Sequence, residues 1–404
     1  MRALTADGLF SPPQLAPVHA RAAHETRDVC AWSAAFLCFA IPWSDVFLLP
    51  YHVQFTRPLS VLALLVWMFS ARIGNRARRM GGAILAMFLF VAFVPVNFLF
   101  TEDPERTSRR VLSYYGLFLL AIFLRQAVQS WQTYQFLLKA LVAGCAVSLA
   151  GVTYSFLRGL DLGDGRYSAP RMDPNDLAGQ LAFSIPVATY LLFRRTKGSM
   201  LLLAYLPLAV TGILLTASRA GMVVLALVVL YPLSALMRLS FRVRATVVVA
   251  VVASSLAVMS VAPGISFSRL RTTNDEINRL DMNGRGAILT AGMELFWQNP
   301  VLGVGAGAFS SAVNGGSRIA AHDTYLEVLV EHGALGLFLF AAVSLTLAAV
   351  VRSYAAEDRK MWFFVLAALT VMSFTLSWEN REMTWLLWGL CASYVPPPAR
   401  NGYA

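Results

Sequence analysis

Three residues of this 404-residue chain have the types and settings needed to act on an anionic leaving group. Arg219 stands in "GILLTASRAGMVVLALVVL", Gly212 to Leu230, and no other charge occurs between Gly198 and Met237. Ser218 before it is a capping residue type, so Arg219 is expected in the first turn of a helix. Free backbone N–H groups and the positive end of the helix dipole already favour an anion there. Arg285, between Gly284 and Gly286 in "MNGRGAILTAGMELFWQNPVLGVGAGAF", repeats that arrangement. His322 in "AHDTYLEVLVEHGALGLF" directly precedes a helix that Asp323 or Thr324 can cap. Guanidinium forks grip phosphate oxygens in pairs, and a histidine near two of them makes a workable acid–base arrangement. Arg166 and Arg171 in "GRYSAPRMDPNDLAGQ" lie just before another helix start, capped by Asp173-Pro174 or Asn175-Asp176, and are candidates to lean over the same place. The plainer readings are a snorkelling arginine, a solvated histidine, and capping with no further role.

Such residues need elements to hold them. The chain is 57% hydrophobic and 14% charged, with a mean hydropathy of +0.61, whereas a soluble domain has about a quarter of its residues charged. It is therefore read as an all-α polytopic membrane protein. A bilayer core of about 30 Å needs roughly 20 apolar residues per helix. Apolar runs fall near 30–49, 53–69, 80–100, 111–128, 132–157, 176–193, 199–217, 220–237, 245–261, 333–351, 361–378 and 383–395, which makes twelve spans. With the N-terminus in the cytoplasm, the segments "ARIGNRARRM", "FRRTKGSM", "MRLSFRVR" and "VRSYAAEDRK" all fall inside, each short and basic as the positive-inside bias requires. The expected organisation is a cytoplasmic tail 1–29, spans one to nine over 30–261, a periplasmic segment 262–332 with amphipathic helices, spans ten to twelve over 333–395, and a cytoplasmic tail 396–404. Residues 1–29 have no apolar core and do not read as a signal peptide. The four cysteines, Cys30, Cys38, Cys145 and Cys391, lie in or beside apolar runs and form neither a disulfide framework nor paired metal ligands.

The outer side carries most of the polar chemistry. By this alternation it holds Arg57, Arg106, Arg109, Arg110, Arg158, Arg166, Arg171, Arg219, Arg269, Arg271, Arg279, Arg285, Arg318 and Arg381, and no lysine, although the whole chain has few lysines. Positive charges on the side where they are normally thinned point to an anionic substrate. Ile288, Leu289, Met293, Leu295, Phe296 and Trp297 predict a short helix lying on the membrane surface and ended by Asn299-Pro300. "GVGAGAF" follows no strand and is not a dinucleotide fingerprint; its glycines serve tight turns. In the helix after His322, Glu327 and Glu331 share a face at i, i+4, apart from Tyr325, Leu326, Val328 and Leu329.

"TASRAG", the "GR" followed by a helix ending "NPVLGVGAGAF", and "AHDTYLEVLVEHGALGLF" together resemble the O-antigen ligase and polymerase superfamily over about residues 160–345. The resemblance implies a twelve-span, GT-C-like glycosyltransferase of the bacterial inner membrane. Such an enzyme moves a glycan from undecaprenyl diphosphate to an acceptor sugar, on lipid A core or on another lipid-linked glycan, at the periplasmic face. It makes Arg219 and Arg285 the pyrophosphate-binding arginines and His322 the residue acting on the acceptor. Asp323 departs from the pattern, since many relatives place a neutral polar residue there. The reaction implied is attack of an acceptor hydroxyl on the anomeric carbon with inversion, the arginines holding the diphosphate charge. No cofactor or metal is expected, with Asp45, Asp161 and Asp164 the only outer carboxylates considered for a metal, and no nucleic-acid partner. Ligase and polymerase share this donor chemistry and stay open. A transporter or flippase of an anionic lipid-linked substrate is the reading from a different class; it predicts internal repeats and helices interrupted near the bilayer midplane.

Overall fold

Backbone N–H and C=O groups in an apolar run have no water to bond in a bilayer, so the run satisfies them internally as helix. In the computed structural model almost every apolar run is helical. The structure describes residues 18–46, 48–49, 53–71, 78–99, 101, 103–163, 165–237, 241, 245, 249, 285–314 and 321–397. Most of the expected ninth span, all of 262–284 with Arg269, Arg271 and Arg279, and Arg318 and Asp164 lie outside the described residues, as do the side chains of Arg57 and Arg285.

The helices are α1 (Val18–Ala40), α2 (Thr56–Ala71), α3 (Gly82–Phe93), α4 (Pro104–Ala127), α5 (Trp131–Leu157), α6 (Pro174–Phe193), α7 (Leu202–Leu215), α8 (Arg219–Val228), α9 (Leu230–Leu236), α10 (Arg285–Gln298), α11 (Phe309–Asn314), α12 (Thr324–Arg352), α13 (Ala356–Ser373) and α14 (Glu382–Ala392). Short 3-10 turns extend α1 and α3 over Ile41–Val46 and Val94–Leu99. A two-residue antiparallel pairing, Leu48 with Gln54 and Leu49 with Val53, closes the connection into α2. Among the described residues, five helical segments are long and apolar enough to cross a membrane: Val29–Val46, Gly82–Leu99, Trp131–Leu157, Pro174–Phe193 and Thr324–Arg352. Pro58–Phe69, Ser199–Leu215 and Arg219–Ser234 are shorter apolar helical segments. α1 begins at Val18, inside the expected tail, and the run 220–237 is divided between α8 and α9.

α6 is the most enclosed of the five and packs against α5, α7, α8 and α13. Polar contacts gather in two layers at opposite helix ends. One layer joins Arg194 to Asp358 at 2.9 Å, the Tyr394 hydroxyl to Asp358 at 2.7 Å, and the Arg78 guanidinium to the carbonyls of Val128 and Ser393. The other joins Thr56 to Glu382, Arg110 to Glu327 and Glu379, and Arg381 to Asp176. The interior between them is mainly apolar and includes the buried rings of Tyr134, Trp362 and Phe183. Some of its polar groups pair with one another, as where the Trp362 indole donates to Tyr134 at 2.7 Å.

α12 is interrupted at Gly333, whose φ of 68° is open to glycine and strained for any other residue. A Cβ there would run into the Val301 carbonyl. The loop after α10 satisfies the freed backbone groups: Ala334 N–H donates to Pro300 O at 2.8 Å, Val304 N–H to Val330 O at 2.9 Å, and Gly305 N–H to Glu331 O at 3.0 Å. The glycine-rich segment thus stitches a broken helix as well as turning. The break falls nearer the N-terminal end of α12, and the continuous segment 334–352 that follows still suffices for a bilayer core of about 30 Å. α10 rests on this end of α12, with Ile288, Met293, Leu295 and Phe296 packed on the cluster of Phe309, Ala321, Leu326 and Val330. Of the residues expected on the apolar face of this helix, Leu289 and Trp297 are exposed, and Ile288, Met293, Leu295 and Phe296 are partly buried against that cluster.

Candidate active site at the outer helix ends

Three helix N-termini meet the conditions expected of them. Asp173 caps α6, accepting from the N–H groups of Asn175 and Asp176. Ser218 caps α8, accepting from Gly221 N–H at 3.1 Å, and Arg219 is the first helical residue. Asp323 caps α12, accepting from Tyr325 and Leu326 N–H at 2.8 and 3.0 Å. Each cap contributes about 1 kcal/mol. The residue ahead of two of these caps has a left-handed backbone, Ala217 at φ 47° and His322 at φ 49°, and Arg171, two residues before Asp173, has φ 65°. Non-glycine residues in that region cost about 1–3 kcal/mol each, and such strain concentrates at functional sites.

α6 and α8 bring their N-termini together. Gly221 packs on Ala178, which leaves no room for a side chain between the two helices. The Asn175 side-chain oxygen accepts from Ser218 Oγ at 2.8 Å and from Arg166 Nη2 at 3.2 Å. Arg166 Nε also donates to Thr216 O, at 3.3 Å, in the turn that leads to Ser218. Arg166 and the Arg219 turn are thus brought together around one amide. Arg171 is exposed and stands apart from Asn175. Arg285 is the first described residue of α10.

His322 is exposed at the mouth of α12. The following residue pairs anchor its turn: Thr324 Oγ1 donates to Leu376 O at 2.7 Å and accepts from Trp378 N–H at 2.8 Å. The Trp378 indole in turn donates to Asp176 in the first turn of α6 at 2.9 Å, and Arg381 reaches the same carboxylate at 2.9 Å. A continuous chain of contacts therefore runs from the His322 turn through the 374–381 connection to the N-terminus of α6.

Beside it lies a group that the sequence reading missed. Arg110 of α4 donates to Glu379 at 2.8 Å and Glu327 at 3.0 Å, and Glu331 lies 3.9 Å away; all three carboxyl groups are buried. Burial and the neighbouring Glu327 carboxylate raise the Glu379 pKa above its ordinary range. Arg106 pairs with Asp103 at 3.1 Å and Arg109 with Glu105 at 3.2 Å. Part of the outer arginine excess is therefore structural, neutralised by local acids. His332, also missed, is wholly buried and shares a 2.6 Å hydrogen bond with Asn97, next to the break at Gly333. Its setting is that of a packing residue.

Residues 203–341 match the family model described as O-antigen ligase. That match covers about a third of the chain, and over it the chain is similar to O-antigen ligases. Arg219, Arg285 and His322 all fall inside the O-antigen ligase segment, while Arg166, Arg171, Arg110, Glu379 and Arg381 come from helices outside it. No curated protein matches the chain.

Proposed function

We propose that the protein is an inverting glycosyltransferase of the bacterial inner membrane. It transfers a glycan from undecaprenyl diphosphate to an acceptor sugar at the periplasmic face, in the manner of an O-antigen ligase. The observation that carries this reading is the convergence of the α6 and α8 N-termini, with Arg166 and the Arg219 turn meeting at Asn175, inside and beside the O-antigen ligase segment. Helix N-termini and guanidinium forks are suited to a diphosphate, and they need no reorganisation as leaving-group charge grows. In this account Arg219 and Arg285 hold the diphosphate, Arg166 and Arg171 flank it, and His322 accepts the acceptor hydroxyl's proton or orients that hydroxyl. The oxygen attacks the anomeric carbon from the face opposite the diphosphate, which departs with the bonding electrons. Arginines carry the charge, so the reaction runs without a divalent metal.

The proposed frame is twelve spans in a GT-C-like plan with both tails cytoplasmic, spans one to nine over 30–261, a periplasmic segment 262–332, and spans ten to twelve over 333–395. It is supported by the two polar layers, since their contacts join residues that the alternation assigns to one face. Deletion of the gene followed by glycan analysis tests the function. Long chains left on the carrier with bare lipid A core are expected, single unpolymerised repeats would indicate a polymerase instead, and unchanged surface glycan would overturn the transferase reading.

A further inference from the structure

A cavity of about 750 Å³ opens between α2, α4 and the 374–381 connection, on the other side of Arg381 from the α6 N-terminus. That volume lies within the range of small-ligand sites, about 300–1,000 Å³. Its two ends differ in chemistry. Away from the 374–381 connection the walls are Val61 and Leu64 of α2 and Leu112, Gly116, Leu119 and Leu120 of α4. Val61 and Leu112 are 59% and 67% exposed, and a Cβ built on Gly116 would meet nothing within 4 Å, so the groove is open along its length. At the other end stand Glu327, Glu379, Ser377 and Asn380.

At the polar end the arginines are engaged and several oxygens are left without partners. Each arginine in the wall already faces a carboxylate: Arg109 with Glu105, Arg110 with Glu327 and Glu379, Arg381 with Asp176. By contrast Glu327 Oε2, Glu379 Oε2, Asn380 Oδ1 and Ser377 Oγ have no hydrogen-bond partner among the described residues, and the two glutamates are 5% and 1% exposed. Buried oxygens without partners, some of which can also donate, call for a ligand whose groups both donate and accept. A diphosphate brings only acceptors and charge. A sugar brings neutral hydroxyls, and an attached hydrocarbon chain would follow the apolar wall.

We propose that this cavity is the acceptor subsite: a lipid-anchored saccharide lays its chain between α2 and α4 and its hydroxyl-bearing end against Glu327, Glu379 and Asn380. The assignment rests on the transferase reading, which requires a second substrate apart from the arginine-bound donor. It also places the acceptor one helical turn along α12 from the His322 turn, since Glu327 follows the Asp323 cap by four residues. Donor and acceptor then approach from opposite sides of Arg381.

The test uses the full chain in nanodiscs and a decyl β-glucoside bearing a diazirine on its alkyl chain. Saturable labelling of α2 and α4 peptides is expected in the wild type and in Gly116→Ala, whose methyl group has room. Gly116→Phe, and Val61→Trp from the facing wall, should each reduce it at least tenfold while remaining monodisperse; either plug suffices if the other fails to fold. Labelling indifferent to a folded plug would overturn the proposal. So would stronger labelling of the same peptides by a diazirine alkyl diphosphate, which would put the donor there. Because labelling does not depend on turnover, failure here is separate from failure of the transferase reading, which the Arg219 variant decides.

Discussion

His322 sits at φ 49° in front of the Asp323 cap, a backbone that asparagine tolerates better than alanine. This separates a chemical role from a conformational one. If the imidazole handles the acceptor proton, His322→Asn keeps the turn and loses transfer, while undecaprenyl diphosphate still binds because arginines hold it. Equal transfer by wild type and His322→Asn, measured on purified protein, would make His322 a residue of the turn alone. The arginines allow a similar contrast. Arg285→Lys retains charge and loses the paired donors, so transfer should fall by about 2 kcal/mol or more, roughly thirtyfold. Arg318→Lys, in a Gly- and Ser-rich stretch, should stay near wild type; a comparable loss in both would remove the special role of Arg285.

At the scale of elements, the Arg110 cluster ties α4 to α12 and to the connection between α13 and α14. Removing the arginine strands buried carboxylates, so Arg110→Met should destabilise the protein by about 3–5 kcal/mol. Glu379→Gln should be far milder and should alter the pH dependence. Glu379 binds its proton more tightly folded than at its ordinary value of 4.5, so unfolding releases protons and stability falls as pH rises above that value. Thermal unfolding from about pH 5 to 8 should show a shallower decline in Glu379→Gln, and an unchanged slope would acquit this carboxyl. The same elements show what could be read beforehand. Ser218, Asp173 and Asp323 were legible as caps because a cap's partner lies two or three residues away. Glu327 and Glu331 were legible as sharing a face, but i, i+4 spacing does not say whether that face meets solvent or Arg110. The Arg110 cluster joins residues 110, 327 and 379, common types far apart in sequence, and nothing local marks them. The interruption at Gly333 was hidden because a glycine at the head of the apolar run 333–351 is as compatible with a continuous helix as with a break. The apolar pattern of α10 was legible, but not its docking partner.

For the whole molecule, the two polar layers join residues near helix ends into two groups, each of which the alternation assigns to one face. The alternation puts 262–332 outside and both tails inside. A reporter fused after Ser310 should be active only in a form that works in the periplasm, and activity restricted to the cytoplasm would invert the topology. With that orientation, Arg219, His322 and the cavity between α2 and α4 all face the outer leaflet, where a lipid-linked donor and an anchored acceptor can meet. The central claim is that helix ends and guanidinium groups alone carry the diphosphate charge. Its most direct test is transfer by purified wild type and Arg219→Lys, assayed with EDTA present throughout. The account predicts full wild-type turnover under chelation and a loss of about thirtyfold or more in Arg219→Lys; wild-type activity abolished by EDTA, or undiminished in the lysine variant, would contradict it.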